Sequence, residues 1–220
     1  VALPILLLAG CGGGVAIEFD GGGGANPPAP QPNPQPQAPT QSCSPAGLAA
    51  SAQSAWPTAC LLTSSGEIVV ELYDSYAPQT VANFYKYVAA GFYSNTLIHR
   101  VDRDFVVQRG GYAPGMLAKA PLFGPIPLES NNGLSNLRGT LAMARRSEPD
   151  SATSQFFFNV VDNTSLDYQS AANPGYAVFG RIISGLNTLD AINVVPTYTY
   201  SPTDIEPRTE VLVYWAQRLK

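Results

Sequence analysis

Histidine and cysteine are the scarcest of the residues that carry chemistry: the 220-residue chain has one histidine and three cysteines. A serine hydrolase would need that histidine, His99, as its general base, but Arg100 follows it directly and the chain has no Gly-x-Ser-x-Gly turn. No Cys-x-x-Cys pair or histidine cluster is present, so neither a zinc site nor a dithiol redox motif is supported. We therefore expect His99 to be structural, and we expect no metal and no cofactor.

Charge is scarce as well, since Asp, Glu, Lys and Arg make up 13% of the residues and the net charge is −4. A nucleic-acid-binding protein carries a basic patch, so this composition argues against that partner. The apolar run at residues 1–10 is too short to cross a bilayer as a helix, which needs about 20 residues. It is typical instead of the hydrophobic region of a secretory signal.

The sequence Leu-Ala-Gly-Cys that ends at Cys11 resembles the lipobox of bacterial lipoproteins. The resemblance implies that residues 1–11 are a signal-peptide remnant and that the Cys11 thiol is lipidated. A diacyl anchor makes physical sense, because a single acyl chain binds membranes only marginally. A buried strand with an incidental cysteine is the alternative, but the three glycines after Cys11 argue against it. We predict a lipid-anchored protein of the bacterial cell envelope that faces the periplasm. The outer membrane is favoured, because Gly12 rather than Asp follows the cysteine.

Residues 12–42 are of low complexity, with glycine runs followed by repeated prolines. Such a segment cannot bury enough apolar surface to offset the entropy of ordering it, so we predict a disordered tether between anchor and folded domain. A proline-rich ligand for a partner domain is the alternative, but no basic residue flanks the prolines.

Cys43 and Cys60 remain as an even pair once Cys11 is assigned to lipidation. In an exported protein this pair predicts a disulfide that closes a small N-terminal extension at residues 43–60. Two free thiols are the alternative and would fit a cytosolic chain.

Residues 61–220 show the pattern of a compact domain with many short strands, irregular connections and two helices. One helix is predicted to start at residues 77–80, with an apolar stripe that includes Val81 and Phe84, and the other to run over residues 184–193. Regular strand–helix alternation is absent, so a doubly wound fold is excluded. The pattern favours a mainly β fold, either a closed antiparallel barrel or a sandwich.

The stretch at residues 98–111 combines a strand, a cation, an aromatic ring and an amide. Arg100 follows a first strand, a polar turn with two aspartates comes next, and a second strand is predicted from Phe105 to Gln108. Alternation along that strand places Val106 and Gln108 on one face, so a twist or bulge is needed to bring Phe105 beside Arg100. An ordinary hairpin, in which Arg100 forms a surface ion pair with an aspartate of the turn, is the alternative.

These residues offer a site without nucleophile, metal or cofactor, and one reaction needs no more than that. Rotation about an X–Pro amide breaks no covalent bond, but resonance raises its barrier to about 18–20 kcal/mol. A protein can hold the proline ring in an apolar pocket while a cation stabilises the twisted amide, in which resonance is lost.

The folded part resembles the cyclophilins, the cyclosporin-binding peptidyl-prolyl cis–trans isomerases, in their exported bacterial form. The resemblance runs in family order through the motifs TVANF (80–84), IHRV (98–101), FVVQ (105–108), RGTLAMA (138–144), SATSQFF (151–157), LD (166–167) and YAVFG (176–180). It implies a closed eight-stranded antiparallel β-barrel capped by two α-helices over residues 61–220. It also implies an isomerase whose partners are proline-containing unfolded or partly folded polypeptides.

The same motifs imply the site residues. Arg100 is the implied catalytic arginine, with Phe105 beside it, and Gln108 holds either Arg100 or the substrate backbone by hydrogen bonds. The implied substrate-binding residues are Val106, Ala144, Arg145, Gln155, Phe157, Leu166 and Tyr176. Without the resemblance, Phe157 and Leu166 would be taken as plain core.

Departures from the family pattern bear on ligand preference. Ser165 stands where drug-sensitive members carry a tryptophan that donates a hydrogen bond to cyclosporin, so we expect weak cyclosporin binding with isomerase activity retained. Val106 replaces a common methionine, and Arg109 replaces a glycine. A proline-peptide-binding module or holdase with little catalysis is the alternative, although Arg100, Phe105 and Gln108 together favour the enzyme. A monomer is the default expectation.

Overall fold

The structure is a computed structural model that describes residues 42–220. Within these residues the chain forms three α-helices and twelve strands. The helices are α1 (Pro45–Gln53), α2 (Pro78–Ala89) and α3 (Leu186–Asn193). The strands are β1 (Thr58–Thr63), β2 (Gly66–Leu72), β3 (Thr96–Asp102), β4 (Val106–Arg109), β5 (Tyr112–Ala113), β6 (Leu117–Ala118), β7 (Thr140–Met143), β8 (Phe156–Asn159), β9 (Val178–Ser184), β10 (Thr197–Ser201), β11 (Asp204–Pro207) and β12 (Val211–Arg218).

Eight strands close into a barrel in the order β1-β12-β3-β4-β8-β7-β9-β2, and β1 pairs with both β12 and β2. Every neighbouring pair in the barrel is antiparallel. The prediction of a closed eight-stranded antiparallel barrel is therefore confirmed, and the sandwich is excluded. The strands β5 and β6 form one additional hairpin, and β10 and β11 form another.

The main hydrophobic core joins the barrel strands to both predicted helices. Phe84 of α2 packs against Phe156 of β8 and Phe179 of β9, with ring centroids 5.5 and 5.8 Å apart. Leu189 and Ile192 of α3 are fully buried in the same core. The apolar stripes of α2 and α3 are thus buried in the core, as their spacing predicts, because side chains three and four positions apart share one helix face.

A third helix, α1, lies in the N-terminal extension, for which no helix was predicted. Ser44 caps it, because its Oγ accepts the Gly47 N–H at 3.1 Å, and the Glu67 carboxylate of β2 accepts from the Ser44 N–H at 2.7 Å. Cys43 and Cys60 form a disulfide with their Cα atoms 6.1 Å apart. Since Cys60 lies within β1, the bridge fastens the start of α1 to the barrel wall.

The last residue of β4, Arg109, is a buried cation. Arg109 is fully buried, and its guanidinium carbon lies 5.1 Å from the ring centroids of both Tyr93 and Phe156. Its Nε and both terminal nitrogens have no hydrogen-bond partner among the described residues. Burial lowers the pKa of Arg109 to about 10, so the group stays charged at neutral pH between two aromatic rings.

Several predictions concern residues outside those that the structure describes. These are the signal remnant at 1–11, the lipidation of Cys11 and, except for its last residue, the disordered tether at 12–42. Among the described residues, none of the helices has the length and apolar character needed to cross a membrane.

Candidate active site

The turn between β3 and β4 sets the position of the aromatic ring. The Phe105 N–H donates to the Asp102 carbonyl at 3.1 Å, and Asp104 adopts a left-handed φ of 58°. Because β4 begins only at Val106, Phe105 belongs to the turn and escapes the alternation of the strand. The predicted strand therefore begins one residue too early, and the turn brings Phe105 into the same cleft as Val106.

Arg100 lies directly opposite Gln108 in the β3–β4 register. Its guanidinium carbon is 5.9 Å from the Phe105 ring centroid, and Nη2 donates to Asp102 Oδ2 at 2.6 Å. The ion pair of the alternative hairpin interpretation thus exists, and the same side chain also lines the cleft. The Arg100 side chain is only 16% exposed, and its Nε has no hydrogen-bond partner among the described residues. Because little water surrounds the charge, it interacts more strongly with a ligand than it would at the surface.

The cleft beside Arg100 is a small pocket of about 120 Å³. Its lining consists of Arg100, Phe105, Val106, Gln108, Ala144, Arg145, Phe157, Leu166 and Tyr176. Val106 and Phe157 are almost fully buried, so the inner wall is apolar. The structure brings together here nine of the ten predicted catalytic and substrate-binding residues, and the tenth, Gln155, lies in the adjoining recesses.

The rim of the pocket is held by aromatic and cation–π contacts. Tyr176 meets Phe157 edge-to-face with ring centroids 5.6 Å apart, and its N–H donates to the Leu166 carbonyl at 2.9 Å. The Arg145 guanidinium lies 4.8 Å from the Tyr176 ring centroid, and its Nε donates to the Gly175 carbonyl at 2.9 Å. Arg145 therefore stabilises the rim as well as lining the pocket.

Gln108 and Gln155 form a polar bridge beside the pocket. Gln108 Nε2 donates to Gln155 Oε1 at 2.8 Å. Gly111 makes room for this bridge, because a Cβ at that position would lie 2.3 Å from the Gln155 side chain. Beyond the bridge lies a recess of about 170 Å³, whose cationic lining residues are Lys119, Arg145 and Arg146. The sequence did not predict that Lys119 lines this recess or that Gly111 makes room for the Gln155 side chain.

His99 of β3 is a neutral group beside the site. It is 8% exposed, and its ring lies 4.6 Å from that of Tyr112. Burial lowers the pKa of His99 to about 4, and the nearby Arg100 and Arg109 charges act in the same direction. The imidazole therefore carries no charge at neutral pH.

A second recess, of about 370 Å³, opens on the other side of Arg100 and was not predicted. Its wall includes Asp204 and Glu206, which come from the β10–β11 hairpin. The alternation Thr-Tyr-Thr-Tyr of β10, followed by Pro202, is a strand-and-turn signal from which the hairpin could have been found. The side of the cleft that it faces depends on its contacts with β3 and is not written in the local sequence.

A closed antiparallel barrel that carries an arginine and a glutamine over an apolar pocket on its outer wall is the architecture of a cyclophilin-type protein. The nine lining residues of the pocket include no serine, threonine, cysteine, histidine, lysine or carboxylate, which are the usual nucleophiles of covalent catalysis. The arrangement suits a reaction that needs binding and electrostatics alone.

Comparison with known proteins agrees with this assignment to the cyclophilin type. Residues 59–213 match the family model described as cyclophilin type peptidyl-prolyl cis-trans isomerase/CLD. The chain is 46% identical over 153 residues to peptidyl-prolyl cis-trans isomerase B of Escherichia coli, covering 69% of this chain and 93% of that protein. It is 48% identical over 155 residues to a peptidyl-prolyl cis-trans isomerase of Acinetobacter baylyi, covering 70% and 81%.

A solved structure also shares the fold. The cyclophilin type peptidyl-prolyl cis-trans isomerase of Cryptosporidium parvum has a TM-score of 0.64 and 26% sequence identity, and the match covers 74% of this chain and 97% of that one. The chain therefore belongs to the cyclophilin-type peptidyl-prolyl cis–trans isomerases, enzymes that act on proline-containing peptides.

Proposed function

We propose that this isomerase accelerates rotation about the X–Pro amide through the positive charge of Arg100. The observation that carries the proposal is that the Arg100 side chain lines the same 120 Å³ pocket as Phe105 and Phe157. A proline ring held against those aromatic side chains places its imide nitrogen beside a cation.

The mechanism follows from the loss of resonance during rotation. In the planar amide the nitrogen lone pair is delocalised into the carbonyl, whereas in the twisted state it is localised on nitrogen and can accept a hydrogen bond. A guanidinium that donates there binds the twisted state more tightly than either planar isomer, and this difference lowers the barrier. The buried walls formed by Val106 and Phe157 exclude water and so strengthen the donor.

Gln108 has a separate part in the proposal. Its bond to Gln155 fixes two amide groups at the edge of the pocket, and the Ala144 N–H donates to the Gln155 carbonyl at 3.0 Å. The substrate backbone on the N-terminal side of the proline is held along that edge, while the carbonyl that precedes the proline swings.

A protease-coupled assay with an Ala-Pro peptide tests the role of Arg100. We expect Arg100→Ala to lower kcat/KM by about 100-fold, the usual cost of removing a preorganised donor. Arg103→Ala is the matched control, because Arg103 lies in the neighbouring turn but is exposed and lines neither the pocket nor the second recess. Equal rates for Arg100→Ala and the wild type would reject Arg100 as the catalyst. A wild-type rate no higher than that of the uncatalysed reaction would favour a proline-peptide-binding module or holdase.

We also infer that the enzyme works in the bacterial cell envelope, lipid-anchored through Cys11 and facing the periplasm. Support comes from the lipobox-like sequence and from the Cys43–Cys60 disulfide, since disulfides persist in oxidising compartments. X–Pro isomerisation takes tens of seconds or more when uncatalysed, so envelope proteins that fold there would benefit. Labelling of expressing cells with a fatty-acid analogue, for the wild type and Cys11→Ser, tests the anchor: label on the variant, or none on the wild type, would reject it.

Weak cyclosporin binding is proposed on the same footing. Ser165 is exposed beside Leu166 of the pocket and has no indole N–H to donate. We expect Ser165→Trp to tighten cyclosporin binding by about tenfold or more, as measured by isothermal titration. Tight binding by the wild type would contradict the proposal.

A further inference from the structure

The second recess lies against the isomerase pocket and is larger than it. The two cavities share Arg100 and Gln108 as a common wall, with volumes of about 370 and 120 Å³. The far wall of the recess comes from Thr203, Asp204 and Glu206 of the β10–β11 hairpin. A polypeptide whose proline occupies the pocket must pass close to this opening.

The carboxylates of the hairpin are available to a ligand. Neither Asp204 nor Glu206 takes part in a salt bridge among the described residues. Asp204 is exposed and Glu206 is half-buried, so a ligand entering the recess can reach both.

No other charge in the recess cancels them fully. Arg100 is the one cation of its lining, and Nη2 of that side chain is already paired with Asp102 at 2.6 Å. His99 lines the recess as well, but its lowered pKa keeps it neutral, and Nδ1 has no hydrogen-bond partner among the described residues. Tyr112 and Gln155 add polar but uncharged surface.

The recess on the other side of the Gln108–Gln155 bridge has the opposite charge. Lys119, Arg145 and Arg146 line it, and no carboxylate does. The cleft is therefore polarised, with cations at one end and carboxylates at the other, and a bound peptide meets both fields.

We propose that the second recess is a substrate subsite that binds the side chain of a lysine or arginine near the isomerised proline. Asp204 and Glu206 are its specificity-determining residues, because their carboxylates attract the cation. Tyr112 and Gln155 contact the aliphatic stem of that side chain and accept hydrogen bonds from its N–H groups. This inference rests on the isomerase site described above but is independent of how Arg100 acts on the amide.

A peptide series tests the subsite. Each seven-residue peptide has proline at its centre with alanine directly before it. One Lys, Gln or Glu is placed in turn at each of the other five positions. We expect at least one position at which kcat/KM falls in the order Lys, Gln, Glu, with about two- to fivefold between Lys and Gln, as for a partly exposed ion pair. That ratio should fall as NaCl is raised towards 1 M.

Variants then locate the effect. Asp204→Asn and Glu206→Gln should each lower the Lys-to-Gln ratio, and the double variant should bring it close to one, while kcat/KM for the Gln peptide stays unchanged. Asp74→Asn is the matched control, since Asp74 is exposed and lines neither cavity. An unchanged Gln-peptide rate also shows that each variant folds with an intact pocket.

Two results would overturn the inference: a Lys-to-Gln ratio near one at every position in the wild type, or a ratio that survives in the double variant. Failure of the proposed mechanism is distinguishable, because it concerns the rate for the Gln peptide in Arg100 variants and not the charge preference.

Discussion

Arg100 is fixed by Asp102, two residues further along β3, through an ion pair of 2.6 Å in which the side chains are 16% and 23% exposed. Residues two apart on a strand point to the same side, so the carboxylate approaches the guanidinium from within its own strand. The pair holds the cation at the wall shared by the 120 Å³ pocket and the second recess. We therefore predict that Asp102 positions Arg100 for catalysis.

Replacement of Asp102 tests this role. Asp102→Asn keeps the shape of the side chain but removes its charge, so the guanidinium loses a charge-assisted bond and samples more rotamers. We expect kcat to fall by about three- to tenfold with KM nearly unchanged, measured on an Ala-Pro peptide. Asp104→Asn removes a neighbouring charge that does not contact Arg100 and should leave kcat alone. An unaltered kcat in Asp102→Asn would show that the ion pair has no positioning role.

The disulfide is predicted to stabilise the fold without affecting catalysis. Its cysteines are separated by 17 positions, for which the chain-entropy model gives about 3 kcal/mol. In the closed strand order β8, which carries Phe157, lies four positions from β1, which carries Cys60. We expect the double variant Cys43→Ser, Cys60→Ser to lose about that free energy of unfolding in urea denaturation. A loss of kcat/KM in the folded variant would contradict the separation of bridge and site.

Many of the helices and strands could be predicted because their signals are local, whereas the choice of a closed barrel over a sandwich came from the family resemblance. The apolar stripes of α2 and α3 followed from spacing, and the strongly apolar β8 was evident from composition. The helix α1 escaped because it has no apolar stripe, and what stabilises it is distant: Ser44 bonds to Glu67, and Cys43 bridges to Cys60. Contacts between segments far apart in sequence are not visible in a local pattern.

The site was predicted in parts for the same reason. Nine pocket residues were identified through motif resemblance, whereas residue chemistry alone would have left Phe157 and Leu166 as core. The strand was predicted to begin at Phe105, one residue too early, because the turn with the left-handed residue Asp104 leaves Phe105 outside β4. The second recess forms only where β11 of the β10–β11 hairpin packs against β3, which is a tertiary contact that a local sequence pattern does not show.

His99 should make stability depend on pH in a simple way, because it is the one histidine in the chain. Burial lowers its pKa from 6.5 to about 4 in the folded state, so between pH 7 and pH 5 the unfolded chain takes up a proton that the folded protein does not. Stability is thus full above the unfolded pKa and falls as the pH is lowered, by about 2 kcal/mol between pH 7 and 5.

Denaturant titrations across that range check the sign. The wild type should become less stable towards pH 5, and His99→Gln should lose most of this slope. A slope that is the same in both proteins would mean that another group accounts for it.

Arg109 offers a test of what a buried cation costs. Its guanidinium has no hydrogen-bond partner among the described residues, and contacts with Tyr93 and Phe156 offset its desolvation only in part. We expect Arg109→Met, which keeps the volume and removes the charge, to raise the free energy of unfolding by about 1–2 kcal/mol. Arg109→Ala should lower it, because a cavity remains. A less stable Arg109→Met would show that the two ring contacts outweigh desolvation.

We propose that the charge of Arg100 speeds rotation of a proline amide that is already bound. Exchange spectroscopy by NMR measures the cis–trans interconversion of an Ala-Pro peptide at saturating enzyme, which separates catalysis from binding. We predict that Arg100→Gln slows the on-enzyme exchange by about 100-fold while Arg100→Lys retains part of the rate, because a cation remains. Exchange at the wild-type rate in Arg100→Gln would contradict the account.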